Sequence, residues 1–509
     1  MYQKNFLRIY FWKLIAVITG FLSLIIVVPH LSSDAEIYGI YMFVVSISLY
    51  LNYADLGFIS AGQKYAAEYF AINNKNDEVG MIGFTIAVLI LMFIPFSLSI
   101  FYLHLNPGLA FNEIGEDNLN SASDLFLILS IIFPVQIILQ RLIIMILSIR
   151  LLDYVIVRID IIANIIKISS VLYFFRDGQY NIVAYFLFCT LISILGNVIA
   201  AVIVKNSLDY NFRLILKSLT LSKKYFLKSK DLALASFSST IGFVLFYELD
   251  LILIGKFIGV TEIAIFAVAF TFMNFIRSLW VIVYSPILNR LNHFKGLNMM
   301  SEIKNLIRIT INFTTPLYLV ITVALILFSN EIILYWVGKQ YLDSIPIMQM
   351  LILSIIFGSI SQPAMQYFIT CSRYSYIYIS SIIVPFIFYL TIYFTYENYG
   401  IFAFAVAKFM ASFIFVVISL KGLFEIINPF KILKTWLIPS IIFSLTSIGI
   451  APHIKNYFFI NPDKNSFSLL ILLIFLAFFI LLSYLLLIFL FKKNRLQIIN
   501  FINKINKTY

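Results

Sequence analysis

The stretch Phe246-Tyr-Glu-Leu-Asp250, with the residues that follow it as far as Arg290, decides how the chain is read. It reads as one membrane-spanning helix, a short outer turn at Gly255–Thr261, and a second spanning helix that carries Arg277 in its apolar body. A charge at the centre of a spanning helix costs about 2.5–3.5 kcal/mol on insertion-based scales. Residues placed at that cost are either paired inside a bundle or line a wet pathway.

Outward from this stretch the chain keeps the same character. Its 509 residues are 62% hydrophobic and only 12% charged, and the charges cluster between long apolar runs. A soluble protein must cover its exterior with polar groups, so this composition indicates an all-α polytopic membrane protein. The net charge of +12 would point to nucleic acid in a soluble protein. Here Lys- and Arg-rich cytoplasmic loops account for it, and no nucleic-acid partner is expected. Cys189 and Cys371 both lie in apolar runs, which argues against a disulfide framework or a metal site. The four histidines share no spacing, and no phosphate-binding loop is present. No cofactor is expected, and the reading is of a transporter rather than an enzyme.

Fourteen apolar segments reach spanning length, near 10–29, 38–57, 80–102, 125–147, 155–174, 181–204, 233–254, 262–286, 309–329, 345–370, 376–396, 399–420, 433–451 and 467–490. With both termini in the cytoplasm, inner loops and tails collect 27 Lys and Arg, outer loops five, and the spans four. That bias fixes the orientation and favours an even number of spans. The chain divides into a first lobe at 1–204, a basic linker at 205–232, a second lobe at 233–420, and two further spans with a basic tail at 421–509. The linker reads as a solvated anchor resting on anionic lipid that also joins two lobes.

Several spans carry polar residues at helical spacing. The second has Asn52 and Asp55; the fifth has Asp160, Asn164 and Lys167 at i, i+4 and i+7. The eighth has Asn274 and Arg277, the tenth Gln362 and Gln366, and the twelfth Lys408. Counting 1.5 Å per residue places Arg141 and Asp160 at similar depth, roughly 20–25 Å from the outer surface, as an ion pair. Glu248 and Asp250 fall within about 10 Å of that surface, as an outer acidic rim, and Arg277 at about 22 Å. Arg277 and Lys408 therefore read as cations lining a cavity, with Lys167 and Arg141 behind them. Asp55, Asp160, Glu248 and Asp250 are the candidates for coupling or gating.

At these residues the sequence resembles the polysaccharide repeat-unit flippases of the Wzx type, within the superfamily of multidrug, oligosaccharidyl-lipid and polysaccharide exporters. Asp55-Leu-Gly-Phe58 looks like that family's D-L-G-F signature. Asp250-Leu-Ile-Leu-Ile-Gly-Lys-Phe-Ile-Gly259 resembles its D-x-x-I-I-G-x-x-x-G. Tyr335-Trp-Val-Gly-Lys-Gln-Tyr341 resembles its W-x-G-x-x-Y turn. Tyr399-Gly-Ile-Phe-Ala-Phe-Ala405 resembles its Y-G-I-x-G-A-A entry, with Ala403 in the usual Gly position and Phe404 replacing an Ala, which predicts looser packing.

The resemblance implies two six-helix lobes around a central cavity plus two C-terminal helices. It also implies alternating access in a bacterial inner membrane, and an undecaprenyl-pyrophosphate-linked oligosaccharide moved to the outer leaflet for O-antigen or another surface polysaccharide. A polysaccharide polymerase and chain-length machinery are the implied partners, besides membrane lipid. Coupling to a proton or sodium gradient, or to the membrane potential, is left open. An ion-coupled drug exporter of the same fold and a membrane polysaccharide polymerase are the rival readings.

Overall fold

In the membrane every backbone N–H and C=O has to be satisfied within the protein, so long apolar runs fold as helices. The computed structural model describes residues 2–424, apart from 52–54, 112–113, 151, 177–179, 209 and 297. Among the described residues the elements are α-helices with two short 3-10 turns. The first are α1 (Tyr2–Leu31), α2 (Ala35–Leu51), α3 (Phe58–Ala71), α4 (Lys75–Leu105), α5 (Glu116–Ile149), α6 (Tyr154–Phe174) and α7 (Ile182–Leu208). Then come α8 (Phe212–Lys217), α9 (Lys223–Tyr247), α10 (Asp250–Phe257), α11 (Val260–Gly296), α12 (Met300–Leu327) and α13 (Ser329–Trp336). The last are α14 (Ser344–Ile355), α15 (Gly358–Thr370), α16 (Tyr374–Tyr399) and α17 (Phe402–Leu423).

Eight of these helices are long and apolar enough to cross a membrane, and ten spans result if each of two bent pairs is one span. Twelve of the fourteen expected spans fall among the described residues, and eight to ten of them meet that measure. Two of the differences have a physical cause. Helix α2 has 17 residues, short for the roughly 20 that an untilted span needs. Helix α6 carries Arg158, Asp160 and Lys167 within 21 residues, too much charge for a plainly apolar span. The expected spans at 433–451 and 467–490, with the basic tail, lie outside the described residues.

The bent pairs are α9–α10, at 47°, and α14–α15, at 44°. At the first, α9 stops at Tyr247 and α10 starts at Asp250, whose carboxylate sits in the first helical turn. An acid is favoured there by the positive end of the helix dipole. The break leaves carbonyls without their helical donors, and the Ser46 hydroxyl donates to the Glu248 carbonyl at 3.3 Å.

The chain forms two compact units, the first Met1–Ala264 and the second beginning at Ile265. Helices α9 and α10 pack within the first unit, α9 on α3 and α4, and α10 on α2. The division therefore falls inside α11. In the second unit Ile303, Ile307 and Ile311 of α12 pack with Ala364, Tyr367 and Phe368 of α15 and Leu291 of α11 in one apolar core.

Candidate functional site

In the first unit the D-L-G-F stretch is a turn between α2 and α3. Leu56 and Gly57 both have positive φ, 49° and 78°. The Asp55 carboxylate accepts from the Ile59 amide at 2.9 Å and so caps the first turn of α3. Gly57 lies so close to α9 that a Cβ added there would stand 2.3 Å from the Ala233 carbonyl oxygen. The signature is therefore a helix-joining device. Its acid has Arg141 as an electrostatic neighbour.

The expected Arg141–Asp160 pair does not form. Arg141 is an electrostatic neighbour of Asp55, whereas the charged group acting on Asp160 is Lys167 of the same helix. The two are seven positions apart on α6, and seven residues is almost two full helical turns. Lys167 Nζ also donates to Ser193 Oγ of α7 at 2.6 Å, a contact that its apolar surroundings in the sequence did not signal. Asn164 lies between them on α6, half-buried. Asn52 lies outside the described residues.

Glu248 and Asp250 lie where α9 gives way to α10. Both are buried, 5% and 1% exposed, at the 47° break between the two helices. Depth counted along a straight helix cannot anticipate that, since it assumes that the helix continues.

In the second unit Asn274 and Arg277 lie on α11, both half-buried. Asn274 Oδ1 and Trp280 Nε1 are buried and make no hydrogen bond, and on α15 the same holds of Gln366 Oε1. Gln362 precedes it by one helical turn and is half-buried. Buried polar atoms lacking a protein partner are ordinarily completed by water or a polar ligand. The Trp280 ring stacks on Tyr318 of α12, with centroids 3.7 Å apart and planes within 7°. That pairing was not legible in the sequence, because 38 residues separate the two rings.

Lys408 is placed differently from the expectation of a cavity-lining cation. It is 0% exposed, and its ammonium stands 5.3 Å from the Phe270 ring and 5.0 Å from the Phe388 ring. Two aromatic faces offset part of the cost of burying the charge. The looser packing expected around Phe404 is also not seen. That ring is buried and meets Phe266 edge-on, with centroids 6.2 Å apart. In the W-x-G-x-x-Y turn, Trp336 packs edge-on against Phe272 with centroids 4.8 Å apart, and Tyr341 is buried.

These helices define a multi-pass membrane protein with the fold of solved lipid and drug transporters. One such structure, the lipid II flippase MurJ in an inward closed conformation, matches with a TM-score of 0.70 at 16% identity, over 97% of this chain and 99% of that one. An inward-facing multidrug resistance MATE family transporter of the MOP superfamily matches with a TM-score of 0.56 at 11% identity, over 82% of this chain and 94% of that one. A MATE transporter in complex with MaL6 matches with a TM-score of 0.54 at 13% identity, over 83% and 96%. No family model matches the chain, and no curated protein does.

Proposed function

We propose that this protein is a flippase that moves an undecaprenyl-pyrophosphate-linked oligosaccharide from the cytoplasmic to the outer leaflet of a bacterial inner membrane. The observation that carries the reading is a fold shared over nearly its whole length with a lipid flippase, together with the Wzx-type motifs. Pyrophosphate carries roughly two negative charges, and crossing lipid requires a cationic, hydrated route.

Arg277 is the first residue assigned to pyrophosphate, since its planar fork can bind two phosphate oxygens. The buried amide oxygens of Asn274 and Gln366 are suited to water or sugar hydroxyls. Lys167 and Arg141 follow as secondary contacts. Lys408 stands behind them, because its aromatic surroundings enclose it. Alternating exposure of this site to the two sides of the membrane completes the cycle, driven by a proton or sodium gradient or by the membrane potential. A surface-polysaccharide pathway such as that of O-antigen would supply the substrate, and a polymerase with its chain-length machinery would consume the product.

The test is where lipid-linked repeat units accumulate in a deletion strain. A flippase defect traps them on the cytoplasmic face, whereas a polymerase defect leaves single repeats outside. A drug exporter of the same fold would change only drug resistance. At equal protein level, Arg277→Ala and Arg277→Lys should both lower translocation, and wild-type transport in both would remove the lead assignment.

A further inference from the structure

The segment from Tyr210 through the start of α9 packs on the first helices along one side, and two of its basic residues are tied to acids there. From Tyr210 to Lys230 it carries six Lys and Arg and no acid; the next acid is Asp231. That side is bolted to the rest of the first unit. Tyr210 donates to Glu78 at 3.1 Å, and Arg150, just past the end of α5, holds the same carboxylate at 2.7 Å. Ser218 donates to the Val79 carbonyl at 3.2 Å, filling space in which a Cβ at Gly83 would stand 2.1 Å from its hydroxyl. Asp77 accepts from Lys224 at 2.5 Å and from Tyr225 at 2.9 Å. Lys228 lies 4.1 Å from the Tyr69 ring centroid and 3.7 Å from Glu68.

Lys224 and Lys228 are tied to Asp77 and Glu68 while remaining exposed, and Arg213, Lys217, Lys223 and Lys230 are exposed as well. Beside them Leu214, Leu216, Leu221, Leu227 and Leu234 are exposed too, Leu216 by 67%. On α9 the exposed positions 223, 227, 230 and 234 follow i, i+4, i+7 and i+11, one stripe of the helix. A stripe of leucines alternating with lysines suits neither water nor the acyl core. It fits the boundary between them, where leucines enter the acyl region and lysine stems reach back to phosphates.

We infer that this exposed set, Arg213, Lys217, Lys223 and Lys230 with the intervening leucines, binds the headgroups of anionic glycerophospholipids in the cytoplasmic leaflet. The contacts to Glu68, Asp77, Glu78 and Val79 meanwhile fix the segment to α3 and α4. The site is separate from the residues assigned to transport and does not depend on the identity of the transported molecule.

The full-length protein, reconstituted in nanodiscs of mixed phosphatidylglycerol and phosphatidylcholine, should retain phosphatidylglycerol preferentially in native mass spectrometry. A basic residue near an anionic surface is worth roughly a fivefold change in affinity. The variant R213Q/K217Q/K223Q/K230Q should therefore lose at least tenfold of that preference, while K224Q/K228Q keeps it. In the unmodified protein the preference should weaken as NaCl rises from 0.05 to 0.5 M, since exposed charges are screened. No preference in the unmodified protein, a preference indifferent to salt, or equal loss in the two variants would overturn the assignment. The salt series decides the matter even where the fourfold variant does not fold.

Discussion

Replacing Arg150 by Met should release the α7–α9 linker from the rest of the first unit. In the folded protein Arg150 Nη2 bonds Glu78 Oε1 at 2.7 Å, and the Glu78 side chain is 3% exposed. The guanidinium also lies over the rings of Phe70 and Tyr210, 4.5 and 5.0 Å from their centroids. Removing one partner of a buried ion pair leaves an uncompensated charge, which costs about 3–5 kcal/mol. On the local opening of the linker that is roughly a hundredfold to several thousandfold in equilibrium constant. Hydrogen exchange at the backbone amides of Tyr210, Ile215 and Ser218 reads this opening directly, and these amides should exchange at least a hundredfold faster in R150M. Adding Glu78→Gln removes the stranded charge, so the double variant should recover a good part of the loss. Exchange in R150M within threefold of the unmodified protein, or a double variant worse than the single one, would refute the claim that this pair holds the linker.

Lys408→Met keeps the side-chain volume and removes a desolvated charge, so thermal stability in detergent should change by less than about 1.5 kcal/mol. Transport should stay near the unmodified level, whereas Lys408→Ala should cost about 2–5 kcal/mol by opening a cavity; transport lost in Met at unchanged stability would return Lys408 to the substrate. Gly57→Val combines a φ of +78° with a clash at the Ala233 carbonyl, and should sharply lower the yield of folded protein in size-exclusion chromatography. The Asp77–Lys224 contact should be insensitive to pH across the neutral range. Hydrogen bonds from Lys224 and Tyr225 hold the Asp77 carboxyl below its ordinary value of 3.8, so its contribution is present above that value and is lost as pH falls through the depressed one. The bond to Asp77 raises Lys224 above 10.5, so that contribution is complete below 10.5 and is lost only as pH rises past the raised value. A protection factor at the amides of 223–228, taken against the intrinsic rate at each pH, that already falls between about pH 5 and 9 would contradict this pairing.

Amino-acid order alone determined that the chain is helical and crosses a membrane many times, because apolar runs of about 20 residues leave the backbone no other solution. It also located the motif positions. The structure then made Asp55-Leu-Gly-Phe58 a turn that needs Gly57 and Asp250 the start of a helix, inside stretches the sequence reads as continuous spans. Partnership between side chains was beyond the reach of the sequence. Depth counting joined Arg141 to Asp160 and set Glu248 and Asp250 near the outer surface without indicating whether they are buried, since it took each span as straight and independent. Both acids are buried at a 47° break. Packing between helices distant in sequence enclosed Lys408 between Phe270 and Phe388. The linker shows the same division. The six basic residues of 210–230 are equivalent in the sequence, and only Asp77, Glu68 and the rings of Tyr65 and Tyr69 on α3 and α4 set Lys224 and Lys228 apart from the other four. Periodicity reports which side of a helix is apolar; which charge meets which partner depends on side-chain distances that exist only once the helices have packed.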